Sequence, residues 1–433
     1  RMTCLTYKLS FTHFEVGPDD DRHLNLSRHA NGERRIINNV FSIRVDVNDG
    51  AEFDVIVIGG SLAGLLAARE CADKRFNVLV LEEDTEIGSP EKCGGLVSLH
   101  GISELGLMPK GEIINEIRAG TVISPSGLRI TIDAKRQRLG VVSRRELDKR
   151  VARQALEEGA HILVGERVID IKDHEVITQK RRLVAKWIVD AGGAYSYAKR
   201  NGSVAKAIQC DALVRGLDEQ EVMVFLDYRL TAGFFSWVIP LGDNWARLGA
   251  AAVQGDPMLA IRNLEKRFNA RIIKRVAAPL AIGGPIKSFC EGKSILVAGD
   301  AAGQAKPTTA GGIYTSGLGG LLAGRVLREA LSEEKDLRKE YEKEWLNKFG
   351  KEFRLMWLMR RVYEKLDNKK LDDLLKTVKE IGVDNIEFEV GSFDEHSRVL
   401  RKILGLSNLS LVFEVADDVL SALLESLFHN IVD

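Results

Sequence analysis

The chain has 433 residues, 45% of them hydrophobic and 29% charged, with 62 basic residues against 62 acidic ones. That composition is globular, with room for two or three domains or one elaborated α/β unit, and a formal charge of zero offers no footprint for nucleic acid. No run of about 18 apolar residues or signal peptide stands in the sequence, which argues against a membrane span.

Residues 1–51 carry little periodicity, with the polar runs Asp19-Asp20-Asp21-Arg22 and Asn31-Gly32-Glu33-Arg34-Arg35. They are expected to be an extension outside the fold; the alternative is a hairpin over Ile36–Val47. Asp54 then opens the β-branched run Val55-Ile56-Val57-Ile58, the pattern of a strand buried on both faces. The turn Gly59-Gly60-Ser61-Leu62-Ala63-Gly64 follows, and good helix formers after it. Strand, glycine turn and helix together predict a dinucleotide site, with backbone N–H groups and the helix dipole facing a pyrophosphate. Ser61 replaces the middle glycine of this motif and fits if its φ is negative. A second strand, Asn77–Leu81, ends in Glu82, with Glu83 beside it, where a carboxylate accepts hydrogen bonds from an adenosine ribose.

The loop Pro90-Glu91-Lys92-Cys93-Gly94-Gly95 comes next, then a hairpin over Thr121–Ile132 and a strand at Val141-Val142 leading into a helix that runs to about Glu158. Short strands are predicted at His161–Val164 and Val168–Ile171, and a buried one at Lys186–Asp190. From Asp211 to about Ile286 strands dominate, at Glu221–Leu226, Phe235–Pro240, Ala246–Val253 and Ala278–Ile282, with one helix at Met258–Ala270. The α/β frame returns at Ser294–Gly303, followed by a small-residue helix to about Leu331, and the chain is helical beyond Asp336. This order predicts an α/β fold: a Rossmann-like dinucleotide-binding domain with an inserted antiparallel β-sheet domain and a C-terminal helical region. The boundaries are 52–205 and 287–335 for the first, 206–286 for the second and 336–433 for the third. The five cysteines, Cys4, Cys71, Cys93, Cys210 and Cys290, form no CxxC and no metal-ligand spacing and read as reduced intracellular thiols.

Three signatures stand in order: the glycine turn with Glu82, the segment Arg144–Asp148, and Gly299-Asp300-Ala301-Ala302 followed by Pro307 and Gly311-Gly312. They resemble the para-hydroxybenzoate-hydroxylase class of FAD proteins. Within that class, Pro90–Gly95 and Phe235-Ser236-Trp237-Val238-Ile239-Pro240 resemble the geranylgeranyl reductase family, which saturates isoprenoid C=C bonds; the likeness covers about residues 52–430. The resemblance implies that the Rossmann-like domain is the FAD-binding domain and the inserted antiparallel β-sheet the substrate domain. It implies FAD held by Gly59, Gly60, Ser61, Ala63, Gly64, Glu82, Glu83, Cys93, Gly94, Arg144, Gly299, Asp300, Gly311, Gly312 and Ile313. Asp300 is expected at a ribityl hydroxyl, Arg144 near the ribityl or phosphate groups, and the helix after Gly311 at the flavin pyrimidine edge. Phe234 and the substrate residues Phe235, Trp237, Ile239 and Pro240 would wall a dry prenyl cavity, and Cys93 and Trp237 are the candidate catalytic residues. Cys93 is either a neutral proton donor or a small apolar plug.

The sequence departs from the family at Phe235 and Ile239, where tyrosine and phenylalanine are usual. It also has Ala310 ahead of Gly311-Gly312, and Gly192-Gly193 after Asp190 where the class has an Asp-Gly pair. The leading expectation is a geranylgeranyl reductase of archaeal-type membrane-lipid biosynthesis. A flavin monooxygenase and a non-catalytic flavin protein are the alternatives. With no second GxGxxG, electrons would come from NAD(P)H docking transiently or from a small electron-carrier protein. The expected location is cytoplasmic, with peripheral contact at the inner face of the membrane. Phe349, Phe353, Leu355, Met356, Leu358 and Met359 beside Lys351, Arg354, Arg360 and Arg361, and the stretches Leu404–Phe413 and Val419–Phe428, are the surfaces expected to touch lipid, with packing of a helical cap as the alternative.

Overall fold

A computed structural model describes residues 47–134, 138–197, 204–382 and 393–398. The expectations placed on residues 1–46, Leu404–Phe413 and Val419–Phe428 lie outside the described residues. The Glu52–Ile58 strand is central to the first sheet. It runs parallel between Arg182–Asp190 and Val78–Glu82, with His161–Val164 beyond the latter and Ile295–Val297 beyond the former. Val55, Ile56 and Val57 are fully buried, because helices cover one face of the sheet and further apolar side chains the other.

The small-residue helix spans Ile313–Glu333 and packs along Leu62–Cys71. A Cβ on Gly320 would stand 1.9 Å from the Ala63 carbonyl oxygen, and one on Gly324 2.3 Å from that of Ala67. Glycine therefore lets two backbones meet, and the uncharged stretch reads as a buried helix. Among the described residues, no helix is long and apolar enough to cross a membrane.

The second sheet has seven strands in the order Arg271–Ala281, Val204–Leu213, Trp245–Ala252, Ser236–Gly242, Glu221–Phe225, Ala119–Ile123 and Arg129–Asp133. Two of these strands lie across the expected domain boundaries. The Thr121–Ile132 hairpin forms as expected, but Ala119–Ile123 pairs in parallel with Glu221–Phe225 and so joins the second sheet. Val204–Leu213 straddles the line drawn at 205/206 and pairs along its length with Arg271–Ala281, a strand longer than the expected Ala278–Ile282. Arg271, Lys274 and Arg275 are exposed on this edge strand, where cations hide the strand signal while protecting an open sheet edge. A third sheet joins Leu96–Ser98, Leu139–Val142 and Ile113–Ile117.

Arg338–Tyr363 and Asn368–Glu380 are the described C-terminal helices. Trp345 centres an aromatic cluster with Phe289, Phe349 and Phe353 at ring separations of 4.8–5.4 Å. Phe349, Phe353 and Met356 are thus core, and only Leu355, Leu358 and Met359 of the expected lipid-facing set stay half-buried. Arg360 is buried too, paired with Glu364 at 2.9 Å and lying 4.9 Å over the Phe234 ring. Packing of the helical cap thus accounts for Phe349, Phe353, Met356 and Arg360.

Candidate active site

One cavity of about 1110 Å³ runs from the glycine turn to the second sheet. At one end Gly59 sits at φ +99°, where a Cβ would lie 2.4 Å from the Ala191 carbonyl oxygen. Ser61 has φ −90° and ψ 176°, extended backbone that serine adopts freely, and its side chain caps nothing. The first N–H groups of the Leu62–Cys71 helix consequently face the cavity without a side-chain cap, the arrangement that suits an anion. Glu82 closes this end: its carboxylate accepts from the Gly60 N–H at 2.5 Å and the Asp84 N–H at 2.8 Å. Burial raises its pKa above the ordinary carboxylate value against those two hydrogen bonds. Glu83 stands at the rim, 3.5 Å from Arg167.

On the opposite wall the Gly299–Ala302 turn presents Asp300, whose Oδ1 accepts from the Ser316 hydroxyl at 3.1 Å. Gly311, Gly312 and Ile313 lead into the buried helix, with Gly312 at its N-cap. Asp190 holds the 191–197 loop by accepting from the N–H groups of Gly192 at 3.0 Å and Tyr197 at 3.1 Å. Beside Gly311, Lys306 is buried, donating to the Phe393 carbonyl at 3.0 Å and the Asp394 carboxylate at 3.1 Å. His396 packs nearby, its Nδ1 3.2 Å from the Thr308 hydroxyl. Burial, reinforced by the Lys306 charge, pushes its pKa down to about 3.

Cys93 and Gly94 line the cavity too, and a Cβ on Gly94 would lie 2.9 Å from Ile239 Cδ1. The Cys93 sulfur accepts from the Gly95 N–H at 3.4 Å. Gly95 has φ +79°, and a Cβ there would meet the Val142 carbonyl oxygen at 2.4 Å. Arg144 is partly buried and paired with Asp148 at 3.0 Å. Burial works to lower its pKa, but the Asp148 carboxylate and the adjacent Cys93 sulfur outweigh that and hold it above the ordinary arginine value. The far end is apolar: Phe235, Trp237 and Ile239 alternate along Ser236–Gly242 and its lead-in and share the wall with Val222 and Val224. Trp237 lies flat on Gly249, its direct cross-strand partner.

Most of the residues singled out in the sequence meet in this cavity; four of them stand behind its wall. Pro240 falls on the other face of its strand, because side chains alternate and Phe235, Trp237 and Ile239 take the cavity face. Phe234 is buried and stacks on Phe235 at 4.3 Å. Gly64 and Gly299 serve close packing, since a Cβ would meet the Gly59 carbonyl oxygen at 2.0 Å and the Ala63 Cβ at 2.9 Å respectively. Sequence reasoning missed Gln209, Lys306, His396 and Tyr195 on the cavity surface and Arg247 behind the Cys93 loop. Arg247 did leave a signal: it is the one charge in Ala246–Ala252, an otherwise apolar strand.

A parallel sheet with a glycine turn, joined to a second sheet across a long cavity, defines the fold of an FAD-dependent oxidoreductase. A geranylgeranyl bacteriochlorophyll reductase-like protein from Thermoplasma acidophilum shares it with a TM-score of 0.69 at 22% identity, over 82% of this chain and 100% of that one. The FAD-dependent chondrochloren halogenase of a myxobacterium shares it at 0.58 and 18%, over 78% and 91%. The family described as lycopene cyclase protein matches residues 54–374. A digeranylgeranylglycerophospholipid reductase of Methanothermobacter thermautotrophicus is 30% identical over 357 residues, 76% of this chain and 92% of its own. An uncharacterised protein of Methanocaldococcus jannaschii is 28% identical over 390 residues, 85% and 99%. The chain belongs to the lycopene cyclase protein family and to that of the digeranylgeranylglycerophospholipid reductases.

Proposed function

We propose that this protein is an FAD-dependent reductase that saturates C=C bonds in the geranylgeranyl chains of a membrane-lipid precursor. The observation that carries the reading is the single cavity, polar and glycine-lined at one end and apolar at the other. Its volume, about 1110 Å³, is at the upper limit of ligand pockets, which suits a dinucleotide plus part of a long chain.

The residues at the polar end fit FAD. The turn from Gly59 to Ala63 brings bare backbone and an uncapped helix start to a pyrophosphate, Glu82 offers a half-buried carboxylate to ribose hydroxyls, and Asp300 offers one to the ribityl chain. The N-terminus of Ile313–Glu333 suits an anionic ring edge. When bound and reduced, FAD supplies hydride to an alkene carbon. An isolated alkene has no carbonyl to drain charge, so a proton must reach the other carbon. The Cys93 thiol is the candidate donor, because Cys93 lines the same cavity as the glycine turn and the apolar wall. Phe235, Trp237 and Ile239 would keep the chain dry and oriented. Electrons would reach FAD from NAD(P)H or a small electron-carrier protein.

The test is mass spectrometry of a digeranylgeranyl glycerophospholipid incubated without O₂ with the protein and dithionite-reduced FAD. Each saturated bond adds two hydrogens to the lipid. An unaltered lipid from protein that retains FAD overturns the reductase reading, and protein that takes up no FAD overturns the cofactor. Cys93→Ala should keep FAD yet slow reduction by about 10-fold or more; a rate within about twofold of the parent returns Cys93 to a packing role.

A further inference from the structure

Arg247 lies on the Trp245–Ala252 strand of the second sheet and is 3% exposed. Its guanidinium reaches across to the Glu91–Gly95 loop. One terminal nitrogen pairs with the Glu91 carboxylate at 2.8 Å, and the other donates to the Cys93 and Gly94 carbonyl oxygens, each at 3.2 Å. Nε donates to Asp211 at 3.2 Å, which holds the head from its own sheet. Gln209 adds a second bond to the Cys93 carbonyl at 3.3 Å. The other Glu91 oxygen accepts from the Arg144 N–H at 2.7 Å, so the network ends on the arginine beside the Cys93 sulfur.

We propose that Arg247 is a positioning residue, whose planar fork locks the Glu91–Gly95 loop to the second sheet and fixes where the Cys93 sulfur and the Gly94 backbone stand in the cavity. The geometry demands an arginine: four acceptors in two directions need a rigid fork, which the single ammonium of lysine does not supply. The position is also tight, since a Cβ on Gly94 would lie 2.9 Å from Ile239 Cδ1. A loop freed from Arg247 therefore shifts against the apolar wall. Buried charges of this kind contribute little net stability but define one arrangement of the groups around them.

The test uses Arg247→Lys in the full chain, with FAD content and melting temperature recorded. Iodoacetamide labelling of the native protein, resolved by peptide mass, reads Cys93 directly, with Cys290 as the internal control. Arg247→Lys is expected to change the Cys93 rate at least about 5-fold, leave Cys290 unaltered, and lower kcat about 10-fold. A purely structural arginine would lower stability and leave the Cys93-to-Cys290 ratio alone. Gln209→Met, which removes only one donor to the same carbonyl, is expected to act in the same direction with smaller size and serves if Arg247→Lys does not fold. A Cys93 rate within about twofold of the parent in the folded variant overturns the proposal. The kcat arm rests on the reductase reading; the labelling arm does not, so a protein inert toward prenyl lipids still decides the role of Arg247.

Discussion

Replacing Gly249 by alanine tests whether the Trp237 indole really forms the wall it is assigned. Gly249 and Trp237 are direct partners on neighbouring strands. A Cβ at Gly249 would lie 2.0 Å from Cε2, 2.2 Å from Cζ2 and 2.3 Å from Nε1 of the indole. Carbon atoms rest about 3.5–4.0 Å apart, so the ring must retreat by about 1.5–2 Å. Phe235 stands edge-on at 6.0 Å on one side, and the open direction is the cavity. Overpacking of this kind costs about 1–3 kcal/mol, a fall of a few degrees in melting temperature for a chain of this size. The displaced ring narrows the apolar end, so kcat/KM for prenyl lipid should fall about 10-fold, equivalent to about 1.4 kcal/mol, while FAD content stays at the parent level. Adding Trp237→Ala removes the obstacle, and the two penalties should then sum to less than their separate values. Unchanged melting and turnover in Gly249→Ala, or additive penalties in the double variant, would refute the placement of the ring.

Glu82→Ala should weaken FAD retention by about 10- to 100-fold, or about 1.5–3 kcal/mol, the scale of a charge-assisted hydrogen bond; equilibrium dialysis against FAD measures it, and unaltered retention counts against the ribose assignment. His396 gives a pH signature. Its pKa is pushed down to about 3 by burial and then by Lys306, so the unfolded chain binds its proton first as the solution is acidified. Its contribution to stability is complete above the unfolded value of about 6.5 and is lost as pH falls toward about 3. His396→Phe should therefore lose less melting temperature than the parent between about pH 7 and pH 4.5, and parallel curves for the two proteins exclude the histidine as a source of acid lability.

Local signals were legible in the sequence. Val55 to Ile58, the turn to Gly64 and the carboxylate at Glu82 belong to one strand–turn–helix–strand unit, and their spacing alone brings them to one place. Asp300 and the Gly311-Gly312 turn follow the same rule, because a strand end and a helix start define each. The extended φ of Ser61 agrees with the tolerance expected of a small residue. Only the tertiary structure decided what depends on partners far along the chain. The period of two in Phe234–Pro240 showed that alternate residues face alike, but not which set would meet the cavity; pairing of Ser236–Gly242 with Trp245–Ala252 sent Phe235, Trp237 and Ile239 there and left Phe234 and Pro240 behind. The parallel union of Ala119–Ile123 with Glu221–Phe225 has no local signature, since neither strand carries a mark of its neighbour. Arg247 is the sharpest case: a buried charge is stable only where acceptors converge on it, and its acceptors arrive from Glu91, Cys93, Gly94 and Asp211, brought together by folding alone.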